Sequence, residues 1–423
     1  MNARWFILAD DLTGAADSAI AFARRRIPAR VVWGDARAED HADATALAYD
    51  AASRELGSAL AARRHGEITH RFLRPGTRLY KKIDSTLRGH PAEEIAAMLN
   101  VVLPKEPGLR IVLAPSFPVM GRTVRAGELH VYGVPLPFTD YWPDGRDASL
   151  ANLVNLLERA GIAARNLPLA TIRAEIPRLR AALAPAGANA AVVAVCDAET
   201  ESDLDRIASA TLDDGAPTFF IGSAGLAHAL AQRVSRTGAP KIPPHESEPS
   251  SQGALVVVGS RAKGSRAALA VLSKFAGVHR ISVDEMLLAN DLRSGPLLAV
   301  AQDAIDALGA GKDVVVDIAQ PEPMRLAGNP QFVSALAQLL APVARQASAL
   351  VATGGETAAA LLGRLGVHGL RLVDEIEPGI PLGLTLGELS IPAVTKAGGF
   401  GNEECLIRII ARLRLIRQTG TVA

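Results

Sequence analysis

The sequence predicts an α/β fold in two domains, each a largely parallel sheet flanked by helices. Three observations predict it. The 423 residues exceed one ordinary domain of roughly 100–200 residues. Short apolar runs alternate with helical patterns along the chain. A stretch rich in Pro, Ser, Glu and Gly, without periodicity, interrupts that alternation from Ser235 to Gly253. The boundaries expected from this are 1–236, a linker at 237–252, and 253–423.

Hydrophobic residues make up 49% but aromatics only 4%, so the cores must be built mainly from Ala, Val, Leu and Ile. The formal net charge is +1, with 45 basic against 44 acidic residues, which argues against a nucleic-acid partner. Cys196 and Cys405 are too few for a disulfide framework or a cysteine-based zinc site, and both read as reduced core residues. No run approaches a membrane span, and Trp5 to Ala9 is too short for a signal sequence. The expectation is a cytoplasmic protein with no membrane partner, and a homodimer is left open.

Phe6 to Ala9 reads as a buried first strand running straight into Asp10-Asp11-Leu12-Thr13-Gly14, with a helix following. Ligands of open α/β sheets gather at that carboxyl edge. Thr13 reads as the N-cap and Asp17 as a first-turn acid, so capping explains those two and leaves Asp10 and Asp11 for chemistry. Gly-x-Gly-x-x-Gly is missing here, so no dinucleotide fingerprint follows the strand. A strand over Thr45 to Tyr49 brings Arg54 to another strand end, where a guanidinium can grip a carboxylate in bidentate fashion.

Read as a strand, Arg78 to Asp84 points Tyr80, Lys82 and Asp84 one way and Leu79, Lys81 and Ile83 the other. Ser85 and Thr86 follow at once, and Pro91 with Glu93 and Glu94 marks a helix start. Cation, carboxylate and hydroxyls at one strand end suit a small, anionic, hydroxylated ligand. The strand Arg110 to Ala114 leads into a long Pro/Gly-punctuated loop carrying Arg122, Arg125 and His130; the alternation around His130 favours a structural role for it. Gly222-Ser223-Ala224-Gly225 follows the strand at Thr218 to Ile221 and reads as a plain strand-to-helix turn.

Beyond the linker, Ala254 to Val258 is a strand ending in Gly259-Ser260. The Gly259 to Gly264 spacing mimics a P-loop, but Ser265 stands where its lysine belongs, so a Walker A site is rejected. Ala349 to Ala352 is a buried strand followed by Thr353-Gly354-Gly355-Glu356-Thr357 and a helix opening near Glu356 or Thr357. Glycines without Cβ atoms beside a helix start admit an anion to the backbone, and Thr353 and Thr357 add hydroxyls. A third turn, Lys396-Ala397-Gly398-Gly399-Phe400-Gly401, precedes the last helix.

Taken together, Ala9 to Asp17, Lys81 to Gly89, the Pro-Ser-Phe-Pro…Gly-Arg-Thr loop, Thr-Gly-Gly-Glu-Thr and Lys-Ala-Gly-Gly-Phe-Gly resemble the four-carbon acid sugar kinase family, in the family's order and over almost the whole chain. Leu12 departs from the Phe that many members carry. The resemblance implies an N-terminal sugar-acid domain (1–236), a C-terminal nucleotide domain (253–423), an active site in the cleft between them, and phosphorylation of a terminal hydroxyl by ATP with Mg2+. It implies substrate contacts at Asp10 or Asp11, at Arg54, and at Lys82, Ile83, Asp84 and Ser85. Nucleotide contacts are implied at Ser260, at Gly354, Gly355, Glu356 and Thr357, and at Gly398, Gly399 and Gly401.

On this reading ATP lies on the Gly354/Gly355 turn, Arg54 or Lys82 holds the sugar-acid carboxylate, and Asp84 or Asp11 accepts the proton of the 4-hydroxyl. D-Threonate is the first expectation, with 3-oxo-tetronate and D-erythronate as alternatives. A sugar-acid dehydrogenase using NAD and a non-catalytic sugar-acid binding protein are the rivals from other classes.

Overall fold

Apolar runs of the first half become strands covered on both faces, as parallel sheets require. In the computed structural model, which describes residues 4–185, 191–235, 245–246, 249–260, 262–288, 294–319 and 330–422, the chain divides into two units, Met1–Lys241 and Ile242–Ala423. Much of the expected linker at 237–252 lies outside the described residues.

The first unit contains β1 (Trp5–Ala9), β2 (Ala29–Trp33), β3 (Ala46–Asp50), β4 (Arg78–Lys82) and β5 (Arg110–Ala114). A small antiparallel sheet of β6 (Arg122–Arg125), β7 (Glu128–Val131) and β8 (Val134–Pro135) follows. The chain then returns to the main sheet with β9 (Ala164–Leu167), β10 (Val193–Cys196) and β11 (Thr218–Gly222). The main sheet runs parallel in the order β2-β3-β1-β4-β11-β5-β10-β9. The chain moves from β1 out to β2, back to β3, then across β1 to β4. That change of direction places a topological switch point at the carboxyl ends of β1, β3 and β4, where open α/β sheets bind ligands.

After β12 (His245–Glu246), the second unit contains β13 (Ala254–Val258), β14 (Val278–Asp284), β15 (Asp313–Ala319), β16 (Ala349–Thr353), β17 (Val367–Glu377), β18 (Ile380–Gly387), β19 (Pro392–Lys396) and β20 (Thr421–Val422). Its sheet order is β14-β15-β13-β16-β19-β18-β17, parallel except that β18 runs antiparallel to both its neighbours. β12 and β20 pair separately.

The sequence does not suggest the β17/β18 hairpin, because register shifts break its alternation and its turn is only Pro378-Gly379. The core of this unit is aliphatic, as the composition requires. The first unit adds aromatic contacts, with Trp5 against Phe22 at 5.2 Å and Phe6 stacked on Phe72 at 5.0 Å.

Other local expectations are corrected. The helix Leu12–Ala23 is capped by Asp11, not Thr13: the Asp11 carboxylate accepts from Gly14 N at 2.9 Å and from the Thr13 hydroxyl at 2.6 Å. The helix after β16 begins at Gly355, one residue before the expected start, because Gly354 takes φ +95 and serves as its N-cap. β4 stops at Lys82, so Asp84 lies in the loop beyond it, and Lys81 is as buried as its neighbours.

The Gly222–Gly225 turn is structural. A Cβ on Gly222 would lie 2.7 Å from Ala114 O, and one on Gly225 would lie 2.3 Å from Ser116 O. Neither backbone carbonyl can step aside cheaply. Gly225→Ala is therefore expected to cost about 1–3 kcal/mol of stability, read as a lower urea midpoint with an unchanged slope.

Candidate active site

Two carboxylates leave β1 side by side, Asp10 buried and Asp11 partly so, and an arginine from the loop after β3 pairs with both. Arg54 Nε and Nη2 donate to Asp10 at 2.8 and 2.9 Å, while Nη1 and Nη2 donate to Asp11 at 2.7 and 2.9 Å. The guanidinium expected to grip a ligand carboxylate is thus spent on the protein's own acids, since adjacent ionised aspartates need a fixed countercharge. Burial pushes the Asp10 carboxyl up, but Arg54, with Lys81 and Lys82 behind it, outweighs that and holds it at about 2.

Asp84 completes the group from the β4 side. Its carboxylate accepts from Arg88 at 2.5 Å and from the Thr86 amide at 2.9 Å, and Arg54 stands 3.7 Å away. Burial raises its pKa, yet Arg88 and Arg54 hold it well below the usual carboxylate range. Two glycines let these loops close up. A Cβ on Gly14 would lie 2.6 Å from Asp11 Oδ1 and 3.0 Å from Lys82 Nζ; one on Gly89, at φ +76, would lie 2.9 Å from Asp10 Oδ2.

The Arg54 loop is held from beneath. Ala52 adopts φ +47, unfavourable for a residue with a Cβ, and its amide is caught by Asp50 Oδ1 at 2.7 Å. Ser53 donates to Glu94 Oε1 at 2.8 Å. Glu94, which the sequence marks only as a first-turn acid, is buried and ion-paired with Lys81 at 2.7 Å. The Lys81 ammonium also donates to His65 Nε2 at 2.9 Å, while His65 Nδ1 donates to Ala61 O at 3.1 Å. Burial and the neighbouring lysine keep that imidazole neutral, with a pKa well below the ordinary value. Sequence reasoning misses His65, Glu94 and Asp50 because each lies in a stretch whose polar residues read as an ordinary helix face or strand end.

Lys82, Ile83 and Ser85 fare differently from one another. Among the described residues, Lys82 Nζ makes no ion pair or hydrogen bond, although the residue is buried and its charge helps hold Asp10 and Asp84 ionised. Ser85 is buried, and among the described residues its hydroxyl makes no hydrogen bond. Ile83 belongs to the hydrophobic core, and its amide donates to Gly222 O at 2.8 Å, so only its carbonyl is left to face a ligand.

In the second unit, three strand-end turns converge. A Cβ on Gly259 would lie 2.0 Å from Thr357 Oγ1, and one on Gly398 would lie 2.2 Å from Ser260 Oγ. Gly354 N donates to Lys396 O at 2.8 Å. Ser260, Gly354, Thr357 and Gly398 therefore form one cluster. No side chain caps the helix that starts at Gly355, which leaves backbone N–H groups and the positive end of its dipole for an anion.

Glu356 and Gly399 are exposed, and Gly401 turns at φ +75 against Cys405 and Glu377. Thr353, expected to present a hydroxyl, is wholly buried instead. Ser265 occupies the lysine position of the P-loop-like spacing, and the buried Lys396 donates to its hydroxyl at 3.2 Å and to Ala397 O at 3.2 Å. Ser265 in turn donates to Gly398 O at 2.9 Å, tying two of the turns together.

Residues 5–230 match the family described as Sugar-binding N-terminal domain, and residues 255–406 match Nucleotide-binding C-terminal domain. A D-threonate kinase of Cupriavidus necator is 39% identical over 408 residues, covering 95% of this chain and 96% of the relative. The chain belongs to the four-carbon acid sugar kinase family. A D-threonate kinase of Bordetella bronchiseptica is 36% identical and covers 98% of both chains. A 3-oxo-tetronate kinase of Methylobacterium radiotolerans is 29% identical, covering 94% of this chain and 96% of the relative.

A crystal structure of a Salmonella typhimurium protein superposes with a TM-score of 0.78 at 22% identity, covering 96% of this chain and 98% of that one, and so shows the same fold. As a member of this family, the chain is a sugar-acid kinase with a nucleotide-binding domain. No helix of the described residues is long and apolar enough to cross a membrane.

Asp50, buried at the end of β3, is pushed the other way, as Glu94 also is by burial. Burial, reinforced by Asp11 and Asp10, raises Asp50 to about 7. A carboxyl raised from the ordinary value near ~3.9 favours folding fully below that value and loses its contribution as pH rises through about 7. Asp50→Asn, which keeps the oxygen facing Ala52 N, is therefore expected to raise the Tm relative to the parent by an amount that grows from pH 4 to pH 7 and then levels off. Thermal unfolding followed by circular dichroism across that range checks it.

Proposed function

We propose that this chain phosphorylates the terminal 4-hydroxyl of D-threonate with ATP, with the acid bound by the N-terminal domain (1–236) and the nucleotide by the C-terminal domain (253–423). 3-Oxo-tetronate and D-erythronate are the alternative substrates of the same chemical class. The observation that carries the reading is Lys82: a buried ammonium without an ion-pair partner beside a carboxylate cluster whose own arginine is already engaged. An incoming sugar-acid carboxylate supplies that partner, and the Ser85 hydroxyl and the Asp10, Asp11 and Asp84 carboxylates suit the sugar hydroxyls. The choice of D-threonate follows the names of the relatives at 39% and 36% identity.

Phosphoryl transfer demands mainly positioning and charge neutralisation. Backbone amides at Gly354 to Thr357, with Ser260 and the Gly398 to Gly401 turn, hold the phosphates. Among the described residues no group of three or more His, Cys, Asp or Glu side chains is arranged to hold a metal. That suits Mg2+, which commonly binds substrate phosphates and water with only one or two carboxylates, and which would neutralise phosphate charge. The 4-hydroxyl proton goes to Asp84 or Asp11. Both carboxylates accept hydrogen bonds from arginine, and a phosphoryl transfer of loose transition state does not need a strong base.

The test is ADP release with D-threonate, L-threonate, D-erythronate and 3-oxo-tetronates as acceptors. D-Threonate is expected to give the highest kcat/KM, and turnover with none of them overturns the reading. Lys82→Ala is expected to raise KM for the acid roughly tenfold to a hundredfold, the worth of a charge-assisted hydrogen bond, and to leave KM for ATP unchanged. A rise confined to ATP would move Lys82 to the phosphate site. Asp84→Asn is expected to lower kcat about a hundredfold or more if Asp84 takes the proton; unchanged turnover assigns that role to Asp11.

A further inference from the structure

The first unit carries a second cavity at the opposite edge of its sheet. It has a volume of about 570 Å³ and is lined by the amino-terminal ends of β4 and β11, from Arg78 and from Thr218 to Phe220. β4 is five residues long, so at about 3.3 Å per residue the cavity lies roughly 13 Å from the strand end that carries Lys82. The two sites share one strand and present opposite ends of it.

The chemistry of the lining is specific. Leu79, Val102, Leu212 and Phe219 give it an apolar body. Among the described residues, Arg78 projects a half-buried guanidinium that has no carboxylate partner and makes no side-chain hydrogen bond; the face of Trp5 lies 5.5 Å from it, measured to the ring centre. An arginine cannot shed its proton, so a guanidinium drawn out of water without a counterion pays a solvation cost that a bound anion would return. Desolvation acts on Arg78 with no charged neighbour to offset it. Lys105, exposed at the rim, likewise has no ion pair, whereas Arg74 is turned toward Glu39. Glu106 is the one acid of the lining.

We propose that this cavity is a second ligand site, taking a small organic carboxylate with an apolar body: its carboxylate on Arg78 and Lys105, its hydrocarbon among Leu79, Val102, Leu212 and Phe219. Nothing in the kinase reaction uses this edge, so the site stands apart from the assignment of the sugar acid.

Isothermal titration of the full chain with hexanoate, and with hexan-1-ol as the neutral isostere, tests the proposal. One hexanoate is expected per chain, with the alcohol bound about tenfold or more weakly, the ratio a charge-assisted contact confers. Arg78→Gln is expected to abolish the preference for hexanoate. Lys105→Glu, on an exposed position where the fold is not at stake, is expected to weaken hexanoate and not the alcohol. Lys82→Ala is expected to leave hexanoate binding intact. The proposal fails if the alcohol binds as well as hexanoate, if both charge variants bind hexanoate like the parent, if hexanoate does not bind, or if Lys82→Ala abolishes its binding.

Discussion

A buried aspartate at the end of a central strand, with a second aspartate beside it, needs a countercharge held rigidly in place, and Arg54 is that countercharge. Its position is not local. The loop bearing it leaves β3 through the left-handed Ala52, is caught by Asp50 on one side and by the Ser53–Glu94 bond on the other, and rests above the buried pair of Glu94 and Lys81. Removing one partner of such a pair strands the other charge in a low-dielectric interior, which costs more than the pair itself contributes. The carboxylate cluster, the loop and the helix from Pro91 to Val102 are therefore one mechanical unit.

Charge accounting across that unit leaves one cation over. Arg54 is shared between Asp10 and Asp11, Arg88 is bound to Asp84, and Lys81 to Glu94. Lys82 is what remains. On the proposed reading, that buried ammonium receives the single anionic group of the substrate, and the ordered carboxylates serve as hydrogen-bond acceptors for its hydroxyls without reorganisation.

The second unit solves a different recognition problem by different means. Its turns offer backbone rather than side-chain charge, and they approach one another so closely that Gly259 and Gly398 leave no room for a Cβ. Lys396 does not project toward a ligand; it is buried and joins Ser265 to the turn at Ala397 and Gly398. Position 265 of the P-loop-like segment lacks a lysine in sequence, yet Lys396 lies beside it in space and holds the turns in register.

Strand-by-strand alternation, the separation into an N-terminal and a C-terminal half, and the clustering of polar residues at strand ends are local properties, so the sequence by itself determined them: β5 and β13 begin and end where the apolar runs do, and Asp10, Arg54, Lys82 and Asp84 stand at the edge expected of them. Periodicity fails where a bulge breaks it, as in the β17/β18 hairpin, and where a side chain competes with a better-placed neighbour, as Asp11 displaces Thr13 at the helix cap. Tertiary structure alone decided which charges neutralise one another. Arg54 lies over forty residues from the acids it binds, and Lys81, Glu94 and His65 meet only when β4 packs against two helices. Pairing of charges depends on distance and burial, and neither is written in spacing along the chain.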